Sequence, residues 1–218
     1  MMYDTKYEDG GRFGFDEVQE RVLNRELAST LAISNDRKEL DGFVNHLIKC
    51  NKFCEYDIDC VIIDVDCDVD YILETLNGLL KYSLDCKNII KKHGCASLNH
   101  YNRKVNNLIT RRTMVVLPDI DGLIRKFEPS QIKRILQSLI KLEVYSGVFV
   151  IACSGCGEFE GVDFKFLSAF ANKALFGVSD RRLVNSVSLG MYRSTDMLES
   201  NEFYYFGMDS SNGMLLCV

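Results

Sequence analysis

The chain has 218 residues, 47% of them hydrophobic, with a formal net charge of −5. This is enough apolar material for one sizeable core in a single α/β domain. The acidic balance makes DNA an unlikely partner, because counterion release needs clustered Lys and Arg, although a local basic strip could form around Arg103–Lys104 and Arg111–Arg112. No run of 18 apolar residues is present, so no direct insertion into a membrane is expected.

Apolar periodicity and breaker residues predict strands that alternate with helices. Residues 1–13 are predicted to be a flexible lead-in, and residues 14–218 to form a single domain. The predicted strands are one or two short segments within 13–31, then 60–65, 113–117, 147–153, 174–178 and an edge strand at 203–206. The predicted helices are 43–51, 69–92, 97–105, 130–142 and 164–172. This alternation predicts an α/β fold with a mostly parallel sheet covered on both faces.

The nine cysteines have irregular spacing and follow no secretion signal, which favours reduced thiols and a cytoplasmic protein. Cys153 and Cys156 form a C-x-x-C pair, a spacing found in metal and redox sites. Because the sequence offers neither a suitable second pair nor a thioredoxin-like context, burial at the end of a strand is the favoured interpretation.

The segment from Ile33 to Ile48 lies where the order strand, loop, helix, strand would place a phosphate-binding loop. A working loop reads G-x-x-x-x-G-K-[ST], in which glycines expose backbone N–H groups, Lys supplies charge and Ser/Thr holds Mg²⁺. Here the residues at the two glycine places, the Lys place and the Ser/Thr place are, in order, Ser34, Glu39, Leu40 and Asp41. Two carboxylates would repel a triphosphate. The sequence therefore predicts the strand–loop–helix order of a P-loop ATPase without the residues that bind the nucleotide.

Five further segments follow the phosphate-loop region in a fixed order. They are Ile62-Ile63-Asp64, a match to G-x-x-x-L-x-x-Y-N at 94–102, and three apolar strands with the residues that directly follow them, at 115–124, 147–156 and 173–180. Together they resemble the FtsK/SpoIIIE motor family over about residues 12–208. The resemblance implies a RecA-like P-loop NTPase three-layer sandwich with a mostly parallel central sheet. It is nearest to the C-terminal ATPase domain of type VII secretion motors of the EssC type.

The departures from the family pattern fall on nucleotide chemistry. The resemblance places the Mg²⁺-organising Asp at Pro118 and the water-activating Glu at Asp119. Shifting the match by one residue would make Asp119 the Mg²⁺-organising Asp, but Ile120 would then stand at the position of the water-activating Glu. The Thr-Gln sensor pair falls at Ser154 and Gly155. Phosphoryl transfer needs these parts together, so we expect no hydrolysis, no catalytic residue, no cofactor and no metal.

The resemblance implies a non-hydrolysing domain of a bacterial type VII secretion motor that recruits substrate proteins or regulates neighbouring ATPase domains. The expected partners are secreted proteins or other domains of a membrane-anchored motor, at its cytoplasmic face, with a homo-hexamer in the full assembly. The alternatives are an FtsK-like DNA translocase domain with an atypical ATP site and a stand-alone structural adaptor. The predicted partner-binding residues are aromatic, although they could instead simply complete the sheet: Phe203, Tyr204, Tyr205 and Phe206.

Two charged segments carry alternative interpretations. The alternating carboxylates at 64, 66, 68 and 70 are rich in oxygen ligands suited to Ca²⁺, but their position after a strand favours a role at a helix start. Arg181–Arg182 could act as an arginine finger towards a neighbouring subunit, and a surface salt-bridge role is favoured.

Overall fold

The computed structural model describes residues 13–14, 28–50, 58–105, 112–155, 164–178, 198, 202–206 and 214–217. The strands in these ranges are β1 (Phe13–Gly14), β2 (Thr30–Ser34), β3 (Ile58–Ile62), β4 (Arg112–Leu117), β5 (Val148–Gly155), β6 (Asn172–Leu175), β7 (Glu202–Phe206) and β8 (Met214–Cys217). The helices are α1 (Arg37–Cys50), α2 (Val69–Lys92), α3 (Leu98–Val105), α4 (Ile120–Lys126), α5 (Pro129–Ser146) and α6 (Phe164–Leu167).

All these strands belong to one sheet in the order β1-β8-β7-β6-β2-β5-β4-β3. The segment from β6 to β3 is parallel throughout, because β2 pairs with β5 and β6, and β4 pairs with β5 and β3, in the same direction. Only β7 runs antiparallel to both of its neighbours. The predicted α/β fold with a mostly parallel central sheet is confirmed.

Side chains of the central strands alternate between two cores, as a pleated strand with both faces covered requires. In β2, Leu31 and Ile33 point to one core and Ala32 to the other. The first core is closed by apolar residues of α2, α4, α5 and α6. The second core is closed by α1, through Leu40 and Phe43 among others. Helices thus cover both faces, which gives the three layers of the sandwich.

The acidic segment after β3 acts as a helix start. The Asp68 carboxylate caps α2 by accepting the backbone N–H groups of Asp70 and Tyr71 at 2.9 and 3.3 Å. The Lys126 ammonium donates to the backbone carbonyls of Val65 and Cys67, both at 2.6 Å, and so occupies oxygens that a cation would use. No group of three or more metal-ligating side chains occurs among the described residues. The helix-start interpretation is therefore favoured over Ca²⁺ binding.

Several boundaries differ from those predicted. Helix α1 begins at Arg37, six residues before the predicted start, because polar residues precede its apolar face. The short helix α4 was not predicted, and the helix expected at 164–172 ends at Leu167 and gives way to β6 at Asn172. The prediction of an edge strand at 203–206 is wrong, since β8 pairs with β7 on the side away from β6.

Candidate functional site

Most residues of the predicted nucleotide site meet at the carboxyl edge of the central strands. Ser34 ends β2 and lies opposite Gly155, the last residue of β5, while Ile33 lies opposite Ser154. Pro118 and Asp119 follow β4 directly on the other side of β5. Ligands of open α/β sheets bind at this edge, where strand order reverses, so the residues predicted for the nucleotide site lie where the fold class would place a ligand.

The connection from β2 to α1 consists of only two residues, Asn35 and Asp36. Asp36 caps the helix, since its Oδ1 accepts the backbone N–H of Lys38 at 2.8 Å. The Ser34 hydroxyl accepts the backbone N–H of Asp36 at 2.9 Å and donates to the Glu39 carboxylate. This is a capping box with Ser34 as a relay. The chain's own oxygens thus satisfy donors that a P-loop would offer to phosphate.

The Glu39 carboxylate lies in a partly desolvated position beside another acid. Burial raises its pKa, the hydrogen bond from Ser34 lowers it, and the nearby Asp36 raises it further. The net shift is upward, and burial is its largest cause. An anion added at this point would meet both the partial burial and the negative charge of Asp36.

The two remaining loop positions do not face the edge of the sheet. Leu40, at the predicted Lys place, is only 1% exposed and belongs to the second core. Asp41, at the predicted Ser/Thr place, is exposed and pairs with Arg37 at 3.0 Å one helical turn earlier. A side chain at position 40 therefore packs beneath α1 instead of reaching a phosphate.

The strand β4 leads into α4 through Asp119, which acts as a helix cap. Its Oδ1 accepts the backbone N–H of Gly122 at 2.8 Å. A Cβ at Gly122 would lie 2.5 Å from Asp119 Oδ2, so this glycine permits the tight capping turn. Asp119 therefore caps α4, whichever catalytic role the resemblance implies for its position.

Sequence reasoning missed Asp121, which is the most buried acid at this edge, with 5% of its surface exposed. Its Oδ2 accepts the Ser154 hydroxyl at 2.6 Å and the Gly155 backbone N–H at 3.0 Å. Its Oδ1 is buried and has no hydrogen-bond partner among the described residues. Burial raises the pKa of Asp121, Asp119 raises it further, and the bonds from Ser154 and Gly155 and the charge of Arg125 oppose the rise. The sequence signal that could have identified Asp121 is the presence of an acid among the apolar residues of 120–124.

The C-x-x-C interpretation can be examined at one of its two cysteines. Cys153 is fully buried within β5, and burial raises the pKa of its thiol to about 12. Such a thiol stays protonated near neutral pH and is a poor nucleophile and metal ligand. Cys156 and Arg181–Arg182 lie outside the described residues.

The aromatic segment predicted to bind partners is divided by the alternation of β7. Phe203 and Tyr205 are 0% and 5% exposed and belong to the second core. Phe203 stacks on Phe176 with ring centroids 4.7 Å apart. Tyr204 points to the opposite face and is half-buried against the first core. A role of Tyr204 and Phe206 in partner binding stays a prediction.

Comparison with solved structures finds the same fold in secretion and transfer motors. EssC (ATPases 2 and 3) from Geobacillus thermodenitrificans aligns over 87% of this chain with a TM-score of 0.67 and 10% identity. Thermomonospora curvata EccC (ATPases 2 and 3), in complex with a signal sequence peptide, aligns over 87% with a TM-score of 0.66 and 11% identity. The pCW3 conjugation coupling protein TcpA with ATPγS aligns over 92% with a TM-score of 0.58 and 11% identity.

The chain has the fold of an FtsK/SpoIIIE-type ATPase domain. It spans 39% of the EssC chain, 37% of the EccC chain and 54% of the TcpA chain. No protein-family model and no curated protein matches the sequence. None of the helices in the described ranges is long and apolar enough to cross a membrane.

Proposed function

We propose that this chain is a non-hydrolysing FtsK/SpoIIIE-type domain of a type VII secretion motor, which acts by binding a protein partner. The observation that carries the proposal is the closed connection between β2 and α1. Two residues link the strand to the helix, and Ser34, Asp36 and Glu39 satisfy one another there. A loop this short has no room to wrap a phosphate chain.

Charge supports the same proposal. An acid such as Glu39 about 4 Å from one phosphate charge costs about 4 kcal/mol at an effective dielectric constant of 20. The Lys that would offset this repulsion is absent, because Leu40 occupies its place and is buried. Asp119 and Asp121 add negative charge on the opposite side of the edge. Binding of Mg·ATP is therefore disfavoured both by shape and by electrostatics.

The partner in this proposal is a secreted substrate or another domain of the motor. The EssC and EccC structures with the same fold each contain ATPases 2 and 3, and the EccC structure holds a signal sequence peptide. Both observations concern those proteins. For this chain they suggest which partners to test first, namely small secreted helical-hairpin proteins and the separately produced neighbouring domains. Assembly into a homo-hexamer belongs to the same proposal.

The decisive measurement is a calorimetric titration with Mg·ATP and Mg·ADP. We expect no binding with a Kd below about 1 mM, corresponding to less than about 4 kcal/mol of binding free energy. A Glu39→Gln variant separates the two causes. If repulsion alone prevents binding, the variant gains affinity for Mg·ATP. If the closed connection prevents it, the variant still does not bind. A low-micromolar Kd for the unmodified chain refutes the proposal and favours the DNA translocase alternative.

A further inference from the structure

Helix α2 carries most of the large apolar side chains that are exposed in the described part of the chain, five of seven. Tyr71, Tyr82 and Ile89 are 50%, 40% and 44% exposed, and the Tyr82 hydroxyl also donates to the sulfur of Cys86 one turn further on. Gly78 is exposed too, and a Cβ built on it meets no atom within 4 Å. Helix geometry places these residues within about 40° of one another along about 27 Å of α2. We call Tyr71, Gly78, Tyr82 and Ile89 the α2 stripe.

The α2 stripe lies on the side of the helix that faces away from α5. On the opposite side, the Lys87 and Lys91 ammonium groups lie over the ring of Tyr145 in α5, at 5.8 and 5.4 Å from its centroid. Between these two sides, Ile72 and Leu76 enter the first core. The strand that precedes α2, β3, is the last strand of the sheet on this side. The stripe therefore faces outward, where another molecule can reach it.

The spacing of the stripe is that of a helix–helix seam. Together with Thr75 and Asp85, the stripe residues recur at alternating intervals of four and three positions. This is the spacing of the a and d positions that join two packed helices. Large side chains alternate with small or polar ones along the seam. A partner helix therefore fits if its small residues lie opposite the large residues of α2.

A second copy of α2 supplies this fit when the two helices run antiparallel across a two-fold axis. With the axis midway between Gly78 and Tyr82, Tyr82 of each copy lies over Gly78 of the other. Tyr71 of each copy then lies against Ile89 of the other. A parallel pair would place glycine on glycine and Tyr82 on Tyr82, which leaves a gap at one level and crowds the next.

Charge favours the same arrangement. The first turn of α2 contains the exposed Asp70, and its last turn contains the exposed Lys92. Antiparallel packing brings Lys92 of each copy level with Asp70 of the other, so the attraction occurs twice. Asp85 faces Thr75 of the second copy, whose hydroxyl can donate to the carboxylate, whereas a parallel pair would set Asp85 against Asp85. Lys81 of the two copies approach each other near the axis, and the Asp85 one turn after each offsets their repulsion.

We propose that this chain forms a two-fold dimer through the α2 stripe, with the two α2 helices antiparallel. The inference goes beyond the proposed function and uses none of the residues of the predicted nucleotide site. A two-fold contact closes on two chains, whereas the contacts within a ring run head to tail. One pair of helices of this length buries less than the ~800 Å² per partner of a standard interface, so we expect a weak dimer with a Kd of about 10–100 μM.

Sedimentation equilibrium of the full chain without nucleotide, at about 5–500 μM, measures this association. Ile89→Gln and Gly78→Gln are each expected to weaken the dimer at least tenfold. Leu84→Gln is the matched control, because Leu84 is also 44% exposed on α2 but lies outside the stripe, and it should change the Kd less than twofold. Gly78→Gln places a better helix former at an open position, so the monomer should stay folded in circular dichroism.

Carbodiimide coupling, which joins a carboxylate and an amine that are in contact, tests the orientation of the helices. Asp70 and Lys92 lie at opposite ends of α2, about 33 Å apart, so an amide between them can form only between two chains. We expect mass spectrometry to find this amide in the coupled dimer. Asp70→Lys and Lys92→Glu should each weaken the dimer about three- to tenfold. An equal mixture of these two variants should associate more strongly than either alone, because both charge pairs are then restored in the mixed dimer.

Each outcome has a defined meaning. A chain that stays monomeric at the highest concentration overturns the inference. It is also overturned by a dimer or hexamer that Ile89→Gln and Gly78→Gln weaken no more than Leu84→Gln does, since another surface then joins the copies. A mixture of Asp70→Lys and Lys92→Glu that associates no better than either variant refutes the antiparallel arrangement. None of these measurements involves Mg·ATP, so the inference and the proposed function can fail separately.

Discussion

Replacement of Leu40 by Lys tests whether the catalytic Lys place has become part of the core. The sequence alone suggests that this single change restores one element of a phosphate site without restoring hydrolysis. The structure adds a stronger expectation. Leu40 is 1% exposed and shares the second core with Phe43 and Phe176, so the new ammonium group would begin inside a hydrophobic layer.

The magnitude follows from the burial of Leu40. Removing a buried leucine side chain costs about 2–5 kcal/mol in transfer and cavity terms. The lysine stem recovers part of this by packing, but its charge must be desolvated or led out to solvent. We expect Leu40→Lys to lower the free energy of unfolding by about 3–5 kcal/mol. For a chain of this size, the melting temperature should fall by roughly 6–20 °C.

Urea unfolding followed by circular dichroism measures this change, with two controls. Leu40→Met keeps the volume and is expected to cost less than about 1.5 kcal/mol. Asp41→Lys places the same side chain at the adjacent exposed position, where it breaks the Arg37 pair and adds a like-charge repulsion, which together cost about 1 kcal/mol. If Leu40→Lys is as stable as Asp41→Lys, or binds Mg·ATP at micromolar concentration, the placement of α1 is wrong.

The buried Cys153, with its thiol pKa near 12, should resist iodoacetamide at pH 8 in the native protein, whereas the exposed Cys60 reacts. Peptide mapping by mass spectrometry, with guanidinium-unfolded protein as the positive control, checks this. Gly147→Ala forces a side chain onto φ 68° and should cost about 1–2 kcal/mol, while Gly78→Ala, in an open helical position, should stabilise by up to about 1 kcal/mol. Burial raises the pKa of Glu143, so the folded state holds that proton more tightly than the unfolded state. The contribution of Glu143 to stability therefore falls as pH rises above about 4.5, and urea titrations from pH 4 to 7 should show a flatter dependence in Glu143→Gln. Fluorescence anisotropy at physiological salt should give a Kd for duplex DNA weaker than about 1 μM.

Periodicity and end signals predicted the long elements well. Helix α2 occupies the predicted 69–92, because Ile72, Leu76 and Ile90 recur on one face and Asp68 caps its start. The apolar runs of β4 and β5 were predicted to within two residues at each end. Such runs are buried on both faces of a parallel sheet, and their sequence therefore carries an unambiguous signal.

The parts that sequence reasoning missed depend on contacts between distant residues. The pairing of β8 with β7 is set by tertiary contact, and a short apolar run at 214–217 does not show which strand it joins. The role of Asp121 depends on Ser154 and Gly155, more than 30 residues away. The early start of α1 depends on the relay through Ser34, where a family template suggested a longer loop.

The closed connection also explains why the site should resist repair one residue at a time. The N-terminus of a helix favours negative charge, and a P-loop uses this property to hold phosphate. Here the same property is used by Asp36, whose carboxylate accepts the Lys38 N–H, and by the Ser34–Glu39 relay. Phosphate would have to displace these groups, which are tethered to the helix and so have a high effective concentration. Replacing Glu39 or Leu40 leaves the two-residue connection unchanged. We therefore expect that nucleotide binding requires a longer loop before any single substitution can contribute.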